Sequence, residues 1–203
     1  MNAVSIDIPP AVAALLEGGF YAGRILIAGV LYALIVAPKA EGERKPGVWS
    51  KSEKSIAGAM SWNDGLANTG AMSDAGSALA KWAQGLTIGG YSDWYLPALD
   101  ELELCYRYLK PTAEPSYLWS RSGINVSAVP PTYPYVADSP AQTEHEIFRA
   151  GGAEAFADEI YWSSTQHASG SNYAWSQHFS NGCQSYWFKG HHFRARVVRR
   201  LAI

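Results

Sequence analysis

The chain has 203 residues, 48% hydrophobic and 17% charged, with a net charge of −2. That balance excludes a disordered chain and supplies enough apolar surface for one substantial core. It also excludes a general electrostatic drive toward nucleic acid or an acidic membrane surface. The first nineteen residues lack a basic start and contain Asp7, Pro9 and Pro10, so no signal peptide is expected.

Residues 11–18 are expected to form a short helix ending at Gly18-Gly19. From Phe20 to Val36 the chain is rich in Ile, Leu, Val and Tyr, which predicts two strands over 20–28 and 30–37 turning near Gly29. The apolar run Ile25–Ala37 is too short for the roughly 20 residues of a membrane-spanning helix, so it is assigned to core. Asn63–Gln84 has apolar residues near helical spacing and predicts one or two helices ending before Gly89-Gly90. Trp94–Leu96 reads as a short strand ended by Pro97. The next helix has an apolar face of Leu99, Leu102, Cys105, Tyr106 and Leu109, and Asp100 lies near its positive N-terminal dipole. Residues 112–145 are proline-rich and aperiodic, a long surface loop of the kind that often carries function. A short helix is expected over 146–156. Beyond Ile160, turns at 169–172, 180–183 and 189–190 separate short aromatic strands.

The end of the chain, 161–203, is compositionally distinct. Trp162, Trp175, Trp187, Tyr161, Tyr173, Tyr186, Phe179, Phe188 and Phe193 stand among Ser, Asn and Gly, with His167, His178, His191 and His192 and no acidic residue. Amphipathic rings among small adaptable polar groups are the composition of a recognition surface. Catalytic sites more often need carboxylates beside their bases, so no enzyme is expected and no catalytic residue is assigned. Tyr186 and Phe188 share one strand parity, and Ser185 and Trp187 the other. The basic residues Lys189, Arg194, Arg196, Arg199 and Arg200 are expected to be solvated or paired with distant carboxylates, with no nucleic-acid partner.

Two segments carry a family resemblance. One is Ser92-Asp93-Trp94-Tyr95-Leu96-Pro97-Ala98-Leu99-Asp100-Glu101-Leu102. The other is Tyr161-Trp162-Ser163-Ser164-Thr165 followed by Ala174-Trp175, Phe179, Gly182 and Arg196-Val197-Val198-Arg199. In order and spacing over 62–203 they resemble the Lcl-type C-terminal domain family. The resemblance implies an α+β, C-type-lectin-like fold: a small twisted antiparallel sheet, two main helices and extensive irregular loops. The expected organisation is an N-terminal short helix and β-hairpin arm over 1–48 and a ligand-binding domain over 49–203.

It further implies kinship with phage and bacterial variable proteins of diversity-generating retroelements, such as phage tropism determinants. There, adenine-directed mutagenesis rewrites AAC or AAT codons, which can become Asn, Ser, His, Tyr, Phe, Cys, Asp or Gly but never Trp, Gln or Lys. Ser169, Ser171, Asn172, Ser176, His178, Ser180, Asn181, Cys183, Ser185, Tyr186, Phe188, His191, His192 and Phe193 are reachable; Trp175, Gln177, Gln184, Trp187 and Lys189 are not and would be a fixed frame. The expected ligand-binding set is Ser171, Asn172, Tyr173, Ser176, His178, Ser180, Asn181, Ser185, Tyr186, Phe188, His191 and His192, on a scaffold of Trp94, Trp162, Trp175 and Trp187. The expected partners are a host-surface protein or glycan and other phage tail proteins. The protein is expected to be a homo-oligomer, made in the bacterial cytoplasm and located in the virion or encoded by a prophage.

Four alternatives compete. Zinc would need His178, Cys183 and one of His191 and His192 to converge; no metal and no cofactor are expected. Trp62-Asn63-Asp64 is similar to the calcium element of sugar-binding C-type lectins but precedes a helix, so it is assigned as a helix cap. The formylglycine-generating enzymes share the broad fold, which would make Cys183 a reactive thiol activated by nearby cations. A structural virion protein without a receptor role is the remaining alternative.

Overall fold

A computed structural model describes residues 11–118, 121 and 123–203; the expectations for residues 1–10 lie outside them. The elements in chain order are β1 (Leu15–Leu16), β2 (Gly19–Ile27), β3 (Val30–Val36), α1 (Lys39–Gly42), β4 (Glu43–Gly47), α2 (Gly65–Asp74), α3 (Ala78–Gln84) and α4 (Leu99–Leu109). A 3₁₀ turn at Glu146–Phe148 precedes β5 (Ile160–Gln166), β6 (Tyr173–His178), β7 (Gln184–Phe188), β8 (Phe193–Arg196) and β9 (Val198–Ala202). This is an α+β protein whose described strands form two sheets, ordered β1-β2-β3-β9 and β4-β8-β5-β6-β7.

The hairpin β2–β3 turns through Ala28 (φ 49°) and Gly29 (φ 81°), with Ile27 opposite Val30. Two successive positive φ values match the right-handed twist of the flanking strands. Its inward residues Ala22, Ile25, Ile27, Leu34 and Val36 are buried, and β3 pairs with β9 from Tyr32↔Ala202 to Val36↔Val198. The hairpin is therefore continuous with the sheet that contains β9. β8 and β9 are one extended run interrupted at Val197, whose amide donates to Gly42 O and whose carbonyl accepts from Ala37 N. One stretch of chain thus joins both sheets.

The structure corrects several helical expectations. Residues 11–18 form a turn and β1, with Ala13 and Glu17 at positive φ, which a helix cannot accommodate. The expected helix over 146–156 is a single 3₁₀ turn. The 63–84 stretch, expected as one or two helices, is two, because Gly76 (φ 88°) divides it and Ser77 caps α3 by accepting from Ala80 N at 3.4 Å. His191 and His192 lie in the β7–β8 loop, not on a strand.

The two recurrent sequence elements touch each other. Ser164 N donates to Pro97 O (2.8 Å), and Thr165 Oγ1 accepts from Leu99 N (3.0 Å) while donating to Ser61 O (2.8 Å). Ser163 Oγ donates to Trp175 O (2.8 Å). Buried hydroxyls therefore fasten the start of α4 and the 61–64 loop to β5, satisfying backbone groups that the core hides. Trp49, Trp94 and Trp162 fill the core on one side. Leu102, Cys105, Tyr106, Phe156, Tyr161 and Phe179 fill it on the other, where Phe156 and Phe179 stack at 4.0 Å.

α4 also buries three carboxylates, two of which hold the loop that follows the helix. Glu101 accepts from Tyr95 OH (2.6 Å), Ala98 N (2.8 Å) and Gly65 N (3.1 Å); burial still raises its pKa to about 7. Glu103 accepts from Arg107 Nε (2.7 Å), Asn125 Nδ2 (2.9 Å) and Tyr135 OH (3.1 Å). Asp100 accepts from Ser127 Oγ (2.9 Å). The bonds to Asn125, Ser127 and Tyr135 hold the irregular 123–135 stretch against the helix.

Candidate functional site

β6 and β7 form the outer part of the second sheet, and β7 is its edge. Cross-strand pairs Tyr173↔Phe188, Trp175↔Tyr186 and Gln177↔Gln184 share one face. At one end that face is sealed: Gln177 Nε2 donates to Gly182 O (2.7 Å), and Gln184 Oε1 accepts from Gly123 N (3.4 Å). At the other end it opens to solvent, where Tyr186 is 42% and Phe188 48% exposed. Ring centroids lie 4.4 Å apart for Tyr173–Phe188, 5.5 Å for Tyr173–Tyr186 and 5.2 Å for Trp175–Tyr186. The strand spacing alone predicts such contacts between directly opposed rings.

Sequence reasoning missed the continuation of this stripe. His167 packs on Tyr186 (4.4 Å) and Trp175 (5.6 Å), and Trp62 packs on Trp175 at 5.1 Å. Arg121 lies over Trp62, 4.2 Å from its ring centroid. Trp62 and Arg121 open an adjoining cleft of about 560 Å³, lined also by Ser61, Asn63, Asp100, Val126 and Ser127. An exposed indole beside the Asp64 helix cap was the available signal for Trp62; nothing in the sequence placed Arg121 next to it.

The expected ligand set is not one patch. Ser171, Asn172, Tyr173, Tyr186, Phe188, His191 and His192 gather at the open end. His178, Ser180 and Asn181 sit at the opposite end of β6, about 17 Å away at strand rise. There Ser180 Oγ and His178 Nδ1 are 2.6 Å apart, and Asn181 O accepts from Tyr117 N at 2.7 Å. Ser176 is a correction: it is buried and donates to Ser185 O (3.1 Å). Ser185 faces the other side of β7, where Ile160, Ser176, His178, Cys183 and Trp187 enclose a recess of only about 50 Å³.

Of the expected scaffold, Trp94, Trp162 and Trp175 are buried, but Trp187 is 39% exposed. It lies on an edge strand, on the face opposite Tyr186, and touches His191 (5.4 Å) and Phe193 (5.7 Å). The basic end is largely paired: Arg194 with Glu43 and Glu159, Arg196 with Glu154, Arg199 with Asp93 and Glu17, Arg200 with Asp64. Lys189 is buried, donating to Gln166 Oε1 (2.7 Å) and Lys54 O (2.9 Å), and burial lowers its pKa to about 8.

The cation activation imagined for Cys183 is not there. Burial pushes its thiol up, and among the described residues no cationic group opposes that. His178 is likewise pushed toward its neutral form, mainly by burial. The zinc set does not assemble, because His191 and His192 stand at the end of the sheet away from His178 and Cys183. No described helix is long and apolar enough to cross a membrane.

The fold and site define an α+β domain with a fixed core of indoles and buried hydroxyls, presenting an exposed aromatic stripe and an adjoining polar cleft. Residues 44–199 match the family model described as the Lcl C-terminal domain. The chain belongs to that family. No curated protein matches it.

Proposed function

We propose that this chain is a non-catalytic recognition protein that binds a host-surface protein or glycan through the open end of its β6–β7 face. In this reading the domain is C-type-lectin-like and serves as a variable protein of a diversity-generating retroelement on a phage or prophage tail. Family membership is consistent with a phage or bacterial surface-associated protein. Several copies on one particle would offset modest single-site affinity.

One observation carries the reading: most of the expected frame is buried and most of the expected variable set is exposed or partly so. Trp175, Gln177, Gln184 and Lys189, which adenine mutagenesis cannot produce, are buried, and of this frame Trp187 alone is exposed. Among the reachable residues of the expected variable set, Ser176 alone is buried, and the others are exposed or partly so. A diversified surface needs this division, because substitutions are tolerated where they touch little and costly where packing is dense. The raised Cys183 thiol supports recognition over Cys-dependent chemistry, which needs a thiolate.

The deciding experiment is to sequence the DNA around the gene. The reading expects a near-copy of the codons for 161–203, with adenines at the reachable positions, beside a reverse-transcriptase gene. Finding neither would reduce the chain to a fixed binder or a structural virion protein. Cys183→Ala is expected to leave attachment unchanged, and a loss of activity with the fold intact would favour the enzyme.

A further inference from the structure

The cleft beside Trp62 is made from residues outside the late variable stretch. Trp62 is 37% exposed, and Arg121 and Trp175 hold its ring from two sides. The walls are anchored: Leu26 N donates to Ser127 O (2.7 Å), Val129 N to Arg24 O (2.9 Å), and Asp100 N to Trp62 O (2.8 Å). The site is thus held open by β2 and α4 before any ligand arrives, which lowers the ordering cost of binding.

Its charges cancel in pairs. Arg121 Nη1 stands 2.8 Å from Asp100 Oδ1, and nearby Arg200 Nη1 is 2.9 Å from Asp64 Oδ1. A free carboxylate or ammonium ligand would find no uncompensated counter-charge. The Arg121–Asp100 contact is also badly directed: both atoms are buried and neither makes a hydrogen bond, although Asp100 is only 1% exposed. Ser61, Asn63 and Ser127 add neutral groups that donate and accept, and the volume is that of a small-molecule site.

We propose that the Trp62–Arg121 cleft binds a neutral sugar unit, as a constant subsite beside the β6–β7 face. A sugar ring matches the three features together. Its C–H face lies against an indole, its hydroxyls each donate and accept, and it brings no charge to be compensated. The inference rests on the reading that the domain is a binder, but not on any variability of its late codons.

The test is titration of the full chain with glucose, galactose, N-acetylglucosamine and their disaccharides, with glucosamine and glucuronate as charged counterparts. Tryptophan fluorescence and saturation-transfer NMR report binding. The expected result is a saturable response to at least one neutral sugar, indifferent to chelator. It should weaken by about tenfold in Trp62→Ala and Arg121→Ala, as for loss of a central contact, and survive Tyr186→Ala/Phe188→Ala. Should Trp62→Ala unfold on a melting check, Trp62→Phe carries the same comparison with the ring retained but narrowed. The proposal is overturned if only charged sugars respond, if none responds, or if binding survives both cleft variants. Attachment to cells that persists while no sugar binds would sink this inference and leave the recognition reading standing.

Discussion

Replacing Tyr186, Phe188 and His192 together by Ala tests whether the open end of the β6–β7 face is surface or core. Tyr186 is 42% and Phe188 48% exposed, and His192 lies exposed in a loop. Complete burial of a ring contributes about 2–3 kcal/mol, so half-burial makes each ring worth about 1 kcal/mol to folding. The triple variant should therefore lose about 2 kcal/mol, a fall in melting temperature of about 4–8 °C for a chain of this size. Binding should respond differently, since a central aromatic anchor contributes about 2 kcal/mol or more. Losing two such anchors would weaken attachment by about 10³-fold. Fluorescently labelled chain binding to cells of the encoding bacterium, read by flow cytometry beside a thermal melt, separates the two quantities. Unchanged attachment, or a melting temperature lowered by about 20 °C, would refute the reasoning.

Glu101 should make stability fall as pH rises. Its native pKa of about 7 exceeds the ordinary 4.5, so the folded state binds more protons across that window. The group's contribution is complete below about 4.5 and lost by about 7, a change of about 3 kcal/mol. Glu101→Gln should flatten that slope in urea titrations from pH 4 to pH 8; a parallel slope would count against it. Arg196→Met should cost about 3 kcal/mol by denaturant midpoint, because the guanidinium holds Ala37 O and both a carbonyl and a carboxylate oxygen of Glu154 from a fully buried position; stability equal to the parent would mean the pairing adds nothing. Gly182→Ala should lower stability by about 1–3 kcal/mol, since Gly182 has φ 74° and a Cβ there would strike the Tyr106 ring; a neutral result would show that the turn relaxes freely.

Much of the fold was legible in local sequence. The apolar stretch around Gly29 became the β2–β3 hairpin, the periodic face from Leu99 to Leu109 became α4, and the aromatic alternation after Ile160 became short strands with turns near the expected places. These signals are local, because strand parity, helix period and positive-φ turns are properties of neighbouring residues. Helix expectations failed where tertiary contact decided: residues 11–18 pair as a strand edge, and 146–156 tighten to one 3₁₀ turn.

The candidate site divides in the same way. The sequence by itself determined that Tyr186 and Phe188 share a face, that the last strands are aromatic, and that the chain carries the paired elements of its family. Only the tertiary structure decided that His178, Ser180 and Asn181 stand apart from His191 and His192, that Ser176 is buried, and that Trp187 is exposed. It alone brought Arg121 over Trp62, because that contact depends on α4 carboxylates fixing a loop with no periodicity of its own. Pattern reports the face on which a side chain lies; only long-range closure sets what it meets there.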